Sequence, residues 1–358
     1  MSRRSKPRFA RVHAGLRPRL VQQQRTMRER CARPTQIASM ALQVTRARAV
    51  HLLVRVVTVA ALCSACHSPL GRFEYITLRS ASEHATLRYG AYVPRGWDRT
   101  TPLPLVVLLH GAGDDASSAD RTEVVEQLDA AIASGQLPPF VMVTPEGQLG
   151  FWSNWHDGSH HYRDWVVREV IPDAYRRFSL LPAPQGLHLL GVSMGAGGGL
   201  QLWLHTPNTF ASASLLSAPI LDERGTRAFL QRFTSREAID RVFGPPGDSS
   251  GIDPYAVLRS DADLHGTRLL FGAASDDKPG ILSSNQAFHA ALRQRHVSHT
   301  LVTFPGTHGW RAWAAAFPYV LCRQIAASCK PRPLHGMHVV SLRTKHELGT
   351  TSSLDDGN

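Results

Sequence analysis

The chain lacks an apolar run long enough to cross a bilayer. Its most apolar stretch, residues 56–65 (VVTVAALCSA), is well short of the roughly 20 residues that a spanning helix needs, and Arg55 stands directly before it. It lacks a phosphate cradle, because no Lys-Ser/Thr pair follows the glycine-rich GVSMGAGGG at P-loop spacing and no acid stands in a dinucleotide-binding context. Zinc-type spacing is missing too. His156, His160 and His161 cluster in FWSNWHDGSHHYRDW without Cys or Glu at the usual intervals, and they read as solvated loop histidines.

Positive charge is plentiful, but not where a nucleic acid would need it. The net charge is +12, yet residues 1–65 hold fourteen Lys or Arg against the single acid Glu29. The remaining residues carry 26 bases and 27 acids, so the folded part is close to neutral. A nucleic-acid enzyme carries its basic stripe on the folded surface that holds the phosphates, so no nucleic-acid partner is expected.

Residues 1–39 are rich in Arg and Gln without a sustained apolar period, which reads as a disordered basic leader, with Met40 an alternative start. Residues 40–66 have the layout of an export signal: Arg46 and Arg48, then an apolar core, then small residues. The segment ends in Leu62-Cys63-Ser64-Ala65-Cys66, which resembles a bacterial lipobox with Cys66 as the lipidated residue, although Cys63 stands where Leu is usual. Two outcomes fit: a lipid anchor at Cys66, or cleavage that discards both cysteines. Either makes the protein exported, as a periplasmic or membrane-tethered lipoprotein or a secreted enzyme.

With 358 residues and 43% hydrophobic content, the rest can bury a sizeable core. FEYITL, ATLRYGAYV and LPLVVLLH read as strands, the last nearly all apolar, as befits a central strand covered on both faces. Helices then alternate with strands: EVVEQLDAAIASG, FVMVTP, RDWVVREVIPDAYRRF with a kink expected at Pro172, and LHLLG. Beyond Ser193 the alternation resumes through GGLQLWLHTP, ASASLLSAP, RLLFG, SSNQAFHAALRQR, TLVTFPG and WRAWAAAFPYVLCRQIAAS. One doubly wound α/β domain, mostly parallel with helices on both faces, accounts for residues 73–330. Residues 219–266 form a polar excursion, and residues 331–358 read as a poorly ordered tail. Cys322 and Cys329 are too far apart on a continuous helix for a disulfide, so a bridge requires the helix to end between them.

The chemistry-bearing motif is Gly191-Val192-Ser193-Met194-Gly195, at the end of an apolar strand and the start of a helix, the context of a nucleophile elbow. A serine hydroxyl is a weak nucleophile that needs a general base and a third group to orient the base. His308, on the loop after the last predicted strand, is the candidate base. The acid should follow RLLFG, where Asp276 and Asp277 are adjacent; Asp277 leaves the smaller insertion before the next helix, and Asp276 stays open. The order Ser, Asp, His is that of α/β-hydrolases. An oxyanion hole would use the backbone N–H groups of Met194 and of Ala112 in His110-Gly111-Ala112-Gly113. Phe151, Trp152 and Trp155 follow the strand FVMVTP, so Trp152 and Trp155 are candidate pocket walls, with core packing the competing reading. Trp310 and Trp313 read as support for His308.

LLHGAG at 108–113, GVSMGAG at 191–197, HTPNTFASASLLSAP at 205–219 and PGTHGWRAW at 305–313 together resemble the esterase D / putative esterase family of α/β-hydrolases, over roughly residues 74–325. That family includes S-formylglutathione hydrolases, feruloyl and acetyl xylan esterases, enterochelin esterase-like enzymes and mycolyltransferases. The resemblance implies acyl-ester chemistry on Ser193 without metal or cofactor, acting on a small-molecule or polysaccharide-linked ester. It also implies that His110 supports its loop rather than acting as base. Ala196 departs from the family's usual second Gly, and extra residues surround Asp276-Asp277. The alternatives are an acyltransferase with an alcohol acceptor and a non-catalytic binding module on the same fold.

Overall fold

The apolar runs form the strands they predict. In β3 (Leu105–Leu109) all five residues are buried, and they divide by parity: Leu105, Val107 and Leu109 enter one core, Val106 and Leu108 the other. A strand of this kind must have helices on both faces. The computed structural model describes residues 71–342 apart from 207, 249–251, 260–267 and 327; the basic leader, the signal segment and Cys66 lie outside the described residues.

Strands β1 (Arg72–Arg79), β2 (Thr86–Val93), β3, β4 (Val141–Pro145), β5 (Leu187–Val192), β6 (Ser212–Leu216), β7 (Arg268–Asp276), β8 (His299–Thr307) and β9 (His338–Leu342) form one sheet. Their order is β1-β2-β4-β3-β5-β6-β7-β8-β9. The strands from β4 through β8 pair in parallel, whereas β1, β2 and β9 run antiparallel at the edges. The fold is therefore the expected α/β-hydrolase sheet.

The helices, with α1 at Ser118–Arg121, divide between the two faces. One face is covered by α2 (Val124–Ala133) and α10 (Trp310–Ile325). The other carries α3 (Tyr162–Asp164), a π-helical turn (Trp165–Val170), α4 (Ile171–Arg177), α5 (Met194–His205), α8 (Pro254–Arg259) and α9 (Ile281–Gln294). The disturbance expected at Pro172 is the π turn just before it, in which Ile171 N–H reaches back five residues to Val166 O. Proline has no N–H for the ordinary ladder and its ring crowds the preceding turn, so the helix widens there.

Residues 219–266 are not merely polar loop. They contain α6 (Glu223–Leu230) and α7 (Arg236–Phe243), capped by Asp222 and Ser235, whose side chains accept from Gly225 N (2.7 Å) and Ala238 N (3.2 Å). The excursion is fastened to the 151–161 loop: His156 and Asp157 donate backbone N–H bonds to Val242 O and Arg241 O, and Arg241 Nε lies 2.8 Å from Asp157 Oδ2.

Two readings of the C-terminal part are corrected. The tail read as poorly ordered contains β9, which pairs antiparallel with β8; five half-exposed residues carry too weak a period to be read locally, and it is the exposed edge of β8 that selects them. The last helix stops at Ile325, three residues earlier than predicted. The chain between the cysteines is therefore not helical throughout, and Cys322 and Cys329 form a disulfide with Cα atoms 5.4 Å apart. Among the described residues no helix is long and apolar enough to cross a membrane.

Candidate active site

Ser193 sits between β5 and α5 with φ +54° and ψ −118°, outside the regions an ordinary side chain prefers. Such a conformation costs about 1–3 kcal/mol and persists only where its surroundings enforce it. Here the enforcement is close approach. A Cβ on Gly195 would lie 2.0 Å from Leu109 O, and one on Gly191 would lie 2.3 Å from Gly195 O, so only glycine fits either position. Ser193 N–H is tied to Leu216 O of β6 (2.9 Å), and the Ser193 carbonyl accepts from Ala196 and Gly197, both at 3.0 Å. Ala196 is fully buried where the resembled family usually has glycine.

This turn raises the Ser193 hydroxyl to His308, at the end of β8: Oγ lies 2.9 Å from Nε2. The other ring nitrogen, Nδ1, lies 2.6 Å from Asp277 Oδ1. The structure thus brings Ser193, His308 and Asp277 into one chain of hydrogen bonds and leaves Asp276 out. Asp276 is the exposed last residue of β7, paired across the sheet with Thr307, and among the described residues its carboxylate accepts only from the neighbouring Ser275 hydroxyl (3.1 Å). The Asp277 side chain is 1% exposed. Burial alone would raise its pKa, but hydrogen bonds from His308 and Ser217, the His308 charge and the Lys278 N–H outweigh it and hold the carboxyl below its ordinary value.

Ser217 and its link to Trp313 escaped the sequence reading. Ser217 Oγ donates to Asp277 Oδ2 (2.6 Å) and accepts from Trp313 Nε1–H (2.9 Å), while the Trp313 ring meets His308 edge-on at 5.1 Å. The hydroxyl therefore occupies the one carboxylate oxygen that His308 does not use. Ser217 falls inside the quoted LLSAP, but no spacing rule marks it. Removing a buried hydrogen bond to a charged group costs about 1.5–3 kcal/mol. Ser217→Ala should therefore lower the melting temperature at neutral pH, and the deficit should shrink on acidification. The lowered Asp277 pKa contributes stability that is present above the unfolded carboxylate range and lost as pH falls through the folded value. Melting curves of both proteins from pH 7 to pH 3 check this; a deficit that is constant with pH would exclude Asp277 as the linked group.

The loop after β3 lies against the nucleophile, since a Cβ on Gly111 would be 3.3 Å from Ser193 Cβ. Among the described residues, no hydrogen bond is seen from the backbone N–H of Ala112 or Met194 to another protein group, so both are able to serve an oxyanion. His110 is not a base. It is fully buried, its Nδ1–H donates to Gly111 O (2.9 Å), its Nε2 accepts from Gly147 N–H (3.1 Å), and burial pushes its pKa down.

Trp152, a candidate pocket wall, is 1% exposed and belongs to the core. Its indole N–H donates to His110 O (3.2 Å), and its ring lies so close to Gly147 and Gly198 that a Cβ on either would clash with it. Two glycines far apart in sequence make room for the ring, which nothing local to FWSNW reveals. Trp155 is half-buried but packs against the His160 ring (4.5 Å), with the Arg241 guanidinium 5.5 Å from its ring centre. His160 departs from the solvated reading, because its Nδ1 lies 2.8 Å from Glu83, whose side chain is 4% exposed. Among the described residues no group of His, Cys, Asp or Glu is arranged to hold a metal ion.

Over 129 residues the chain is 28% identical to endo-1,4-beta-xylanase Y of Acetivibrio thermocellus, a stretch that is 34% of this chain and 12% of that much longer protein. In fold it is similar to a ferulic acid esterase, at a TM-score of 0.60 and 20% identity over 71% of this chain and 97% of that one. It is likewise similar to an S-formylglutathione hydrolase from Staphylococcus aureus, at a TM-score of 0.59 and 20% identity over 72% of this chain and 100% of the other. Residues 80–323 match the family described as Putative esterase, and with that match over most of its length the chain belongs to this family, on an α/β-hydrolase fold.

Proposed function

We propose that the chain hydrolyses carboxylic esters through an acyl-enzyme on Ser193. His308 Nε2 takes the hydroxyl proton as Ser193 Oγ attacks the ester carbonyl carbon. Asp277 holds the ring with Nδ1–H toward itself and stabilises the imidazolium that results. The carbonyl oxygen, now an oxyanion, accepts from Ala112 and Met194 N–H. His308 then returns its proton to the leaving alcohol. A water, activated in turn by His308, cleaves the acyl-enzyme, so that an acid and an alcohol are released and the serine is regenerated.

The observation that carries this reading is the unbroken link of 2.9 Å and 2.6 Å from Ser193 through His308 to Asp277. Small acyl or hydroxycinnamoyl esters, free or attached to polysaccharide, are the proposed substrate class; the ferulic acid esterase and xylanase relatives support it. Turnover of short p-nitrophenyl and methyl hydroxycinnamate esters by wild type and Ser193→Ala tests the proposal. With an added alcohol, an ester product in place of the acid would assign acyl transfer instead.

We further propose that residues 40–66 direct export. The Cys322–Cys329 disulfide supports an oxidising compartment, where such bonds persist. Mass spectrometry of the mature N-terminus in the native host should find cleavage near Cys66, with or without lipid; an intact residue 1 would overturn the export reading.

A further inference from the structure

Two loops must be held in register for the proposed reaction: the one that offers Ala112 N–H and the one that offers His308. They come from strands on opposite sides of β5, and no backbone hydrogen bond is seen between them among the described residues. One side-chain bond does join them. Trp310 Nε1–H, at the start of α10 and two residues beyond His308, donates to Asp114 Oδ2 at 2.8 Å across a sequence separation of 196.

Both ends of this bond are themselves anchored. Asp114 N–H closes a turn onto Gly111 O (3.3 Å), in which Ala112 and Gly113 are the central residues. Gly113 has φ +83°, the value required at the third position of a type II turn. Asp114 is therefore the last residue of the turn that orients Ala112 N–H. At the other end the Trp310 ring packs edge-on against Trp313 (5.5 Å), which packs edge-on against His308 (5.1 Å) and donates to Ser217.

Charge argues that the role is geometric. A Cβ on Gly111 would lie 3.3 Å from Ser193 Cβ and 3.8 Å from Asp114 Oδ2, so a carboxylate stands close to the place where the oxyanion forms. By Coulomb's law alone that charge opposes the reaction. The indole N–H on Oδ2 and the Arg121 guanidinium, 3.4 Å from Oδ1, offset it in part. A carboxylate at this position serves the reaction through what it holds in place.

We infer that the Asp114–Trp310 hydrogen bond is a brace that fixes the oxyanion turn against the histidine loop, which makes Asp114 and Trp310 positioning residues. The inference rests on the proposed reading of Ser193, His308 and Ala112.

Loss of an oxyanion donor costs about 10²–10³ in rate, and displacement by about an ångström costs up to about 10². Asp114→Ala and Trp310→Phe should each lower kcat about 10- to 100-fold while KM stays within about threefold. Each should weaken binding of a trifluoromethyl ketone, which forms the tetrahedral oxyanion, by a similar factor. The double variant should lose no more than either single one, because both remove the same bond. Asp114→Asn keeps an acceptor for the indole and should restore kcat to at least about a third of wild type. Where Asp114→Ala does not fold, Trp310→Phe carries the test. Near-wild-type kcat in both single variants, independent losses that multiply, or a kcat loss with unchanged ketone binding would each overturn the brace while Ser193→Ala remains inactive. Activity that survives Ser193→Ala would instead overturn the reading beneath it.

Discussion

Ser193→Ala is expected to lower kcat on a short p-nitrophenyl ester by about 10⁴–10⁶, with KM little changed and the fold intact. The size follows from the site's division of labour. Without Oγ there is no acyl-enzyme, and His308 has no proton to take from a nucleophile already in position. The Ala112 and Met194 N–H groups, the proposed oxyanion donors, remain and should leave a residual acceleration over water. Stability should change little. The lost Ser193–His308 bond is worth about 0.5–1.5 kcal/mol, and alanine has the same difficulty with a positive φ as serine. Kinetics on two proteins with matching circular dichroism and melting temperature decide the matter: equal rates would remove Ser193 from the mechanism.

The second large effect separates two adjacent carboxylates. Asp277→Asn should cost about 10⁴ in kcat, because an amide that presents its NH₂ to His308 Nδ1 favours the tautomer with the proton on Nε2, the atom that must accept from Ser193. Asp276→Asn should stay within about twofold, since its side chain is exposed and bonds the neighbouring Ser275 rather than His308. Comparable losses in the two variants would contradict the assignment of Asp277 as the one carboxylate that orients His308. Ser217 sharpens the contrast: its hydroxyl and the Lys278 N–H bond Asp277, and neither reaches Asp276.

The features legible in the sequence were those whose physics is local. A nearly unbroken apolar run means a strand covered on both faces, and β3 is such a strand. Glycines two before and two after a serine at a strand end mean a turn that only glycine permits, as the 2.0 Å and 2.3 Å approaches at Gly195 and Gly191 bear out. His308 was legible for the same reason, since a histidine on the loop after a parallel strand is delivered to the sheet edge where the elbow stands.

Other features depend on partners distant in the chain. Trp152 reads the same whether it lines a pocket or fills a core; Gly198 of α5, together with Gly147 earlier in the same loop, makes the room that decides for the core. The helix that carries Cys322 was expected to run on toward Cys329, and its end at Ile325 is what allows the disulfide. Strand β9 exists because β8 offers an exposed edge.

By itself, then, the sequence determined the α/β class, the elbow at Ser193 and the histidine at position 308, because apolar period, glycine sterics and strand–loop order act over a few residues. Only the tertiary structure decided between Asp276 and Asp277, enlisted Ser217 and Trp313 behind the carboxylate, and joined Asp114 to Trp310. Asp276 ends β7 just past a register shift, and Asp277 lies beyond it in a turn closed by Asp277 N–H on Ala274 O (3.3 Å), so which carboxylate meets His308 is settled only when β7 and β8 pair.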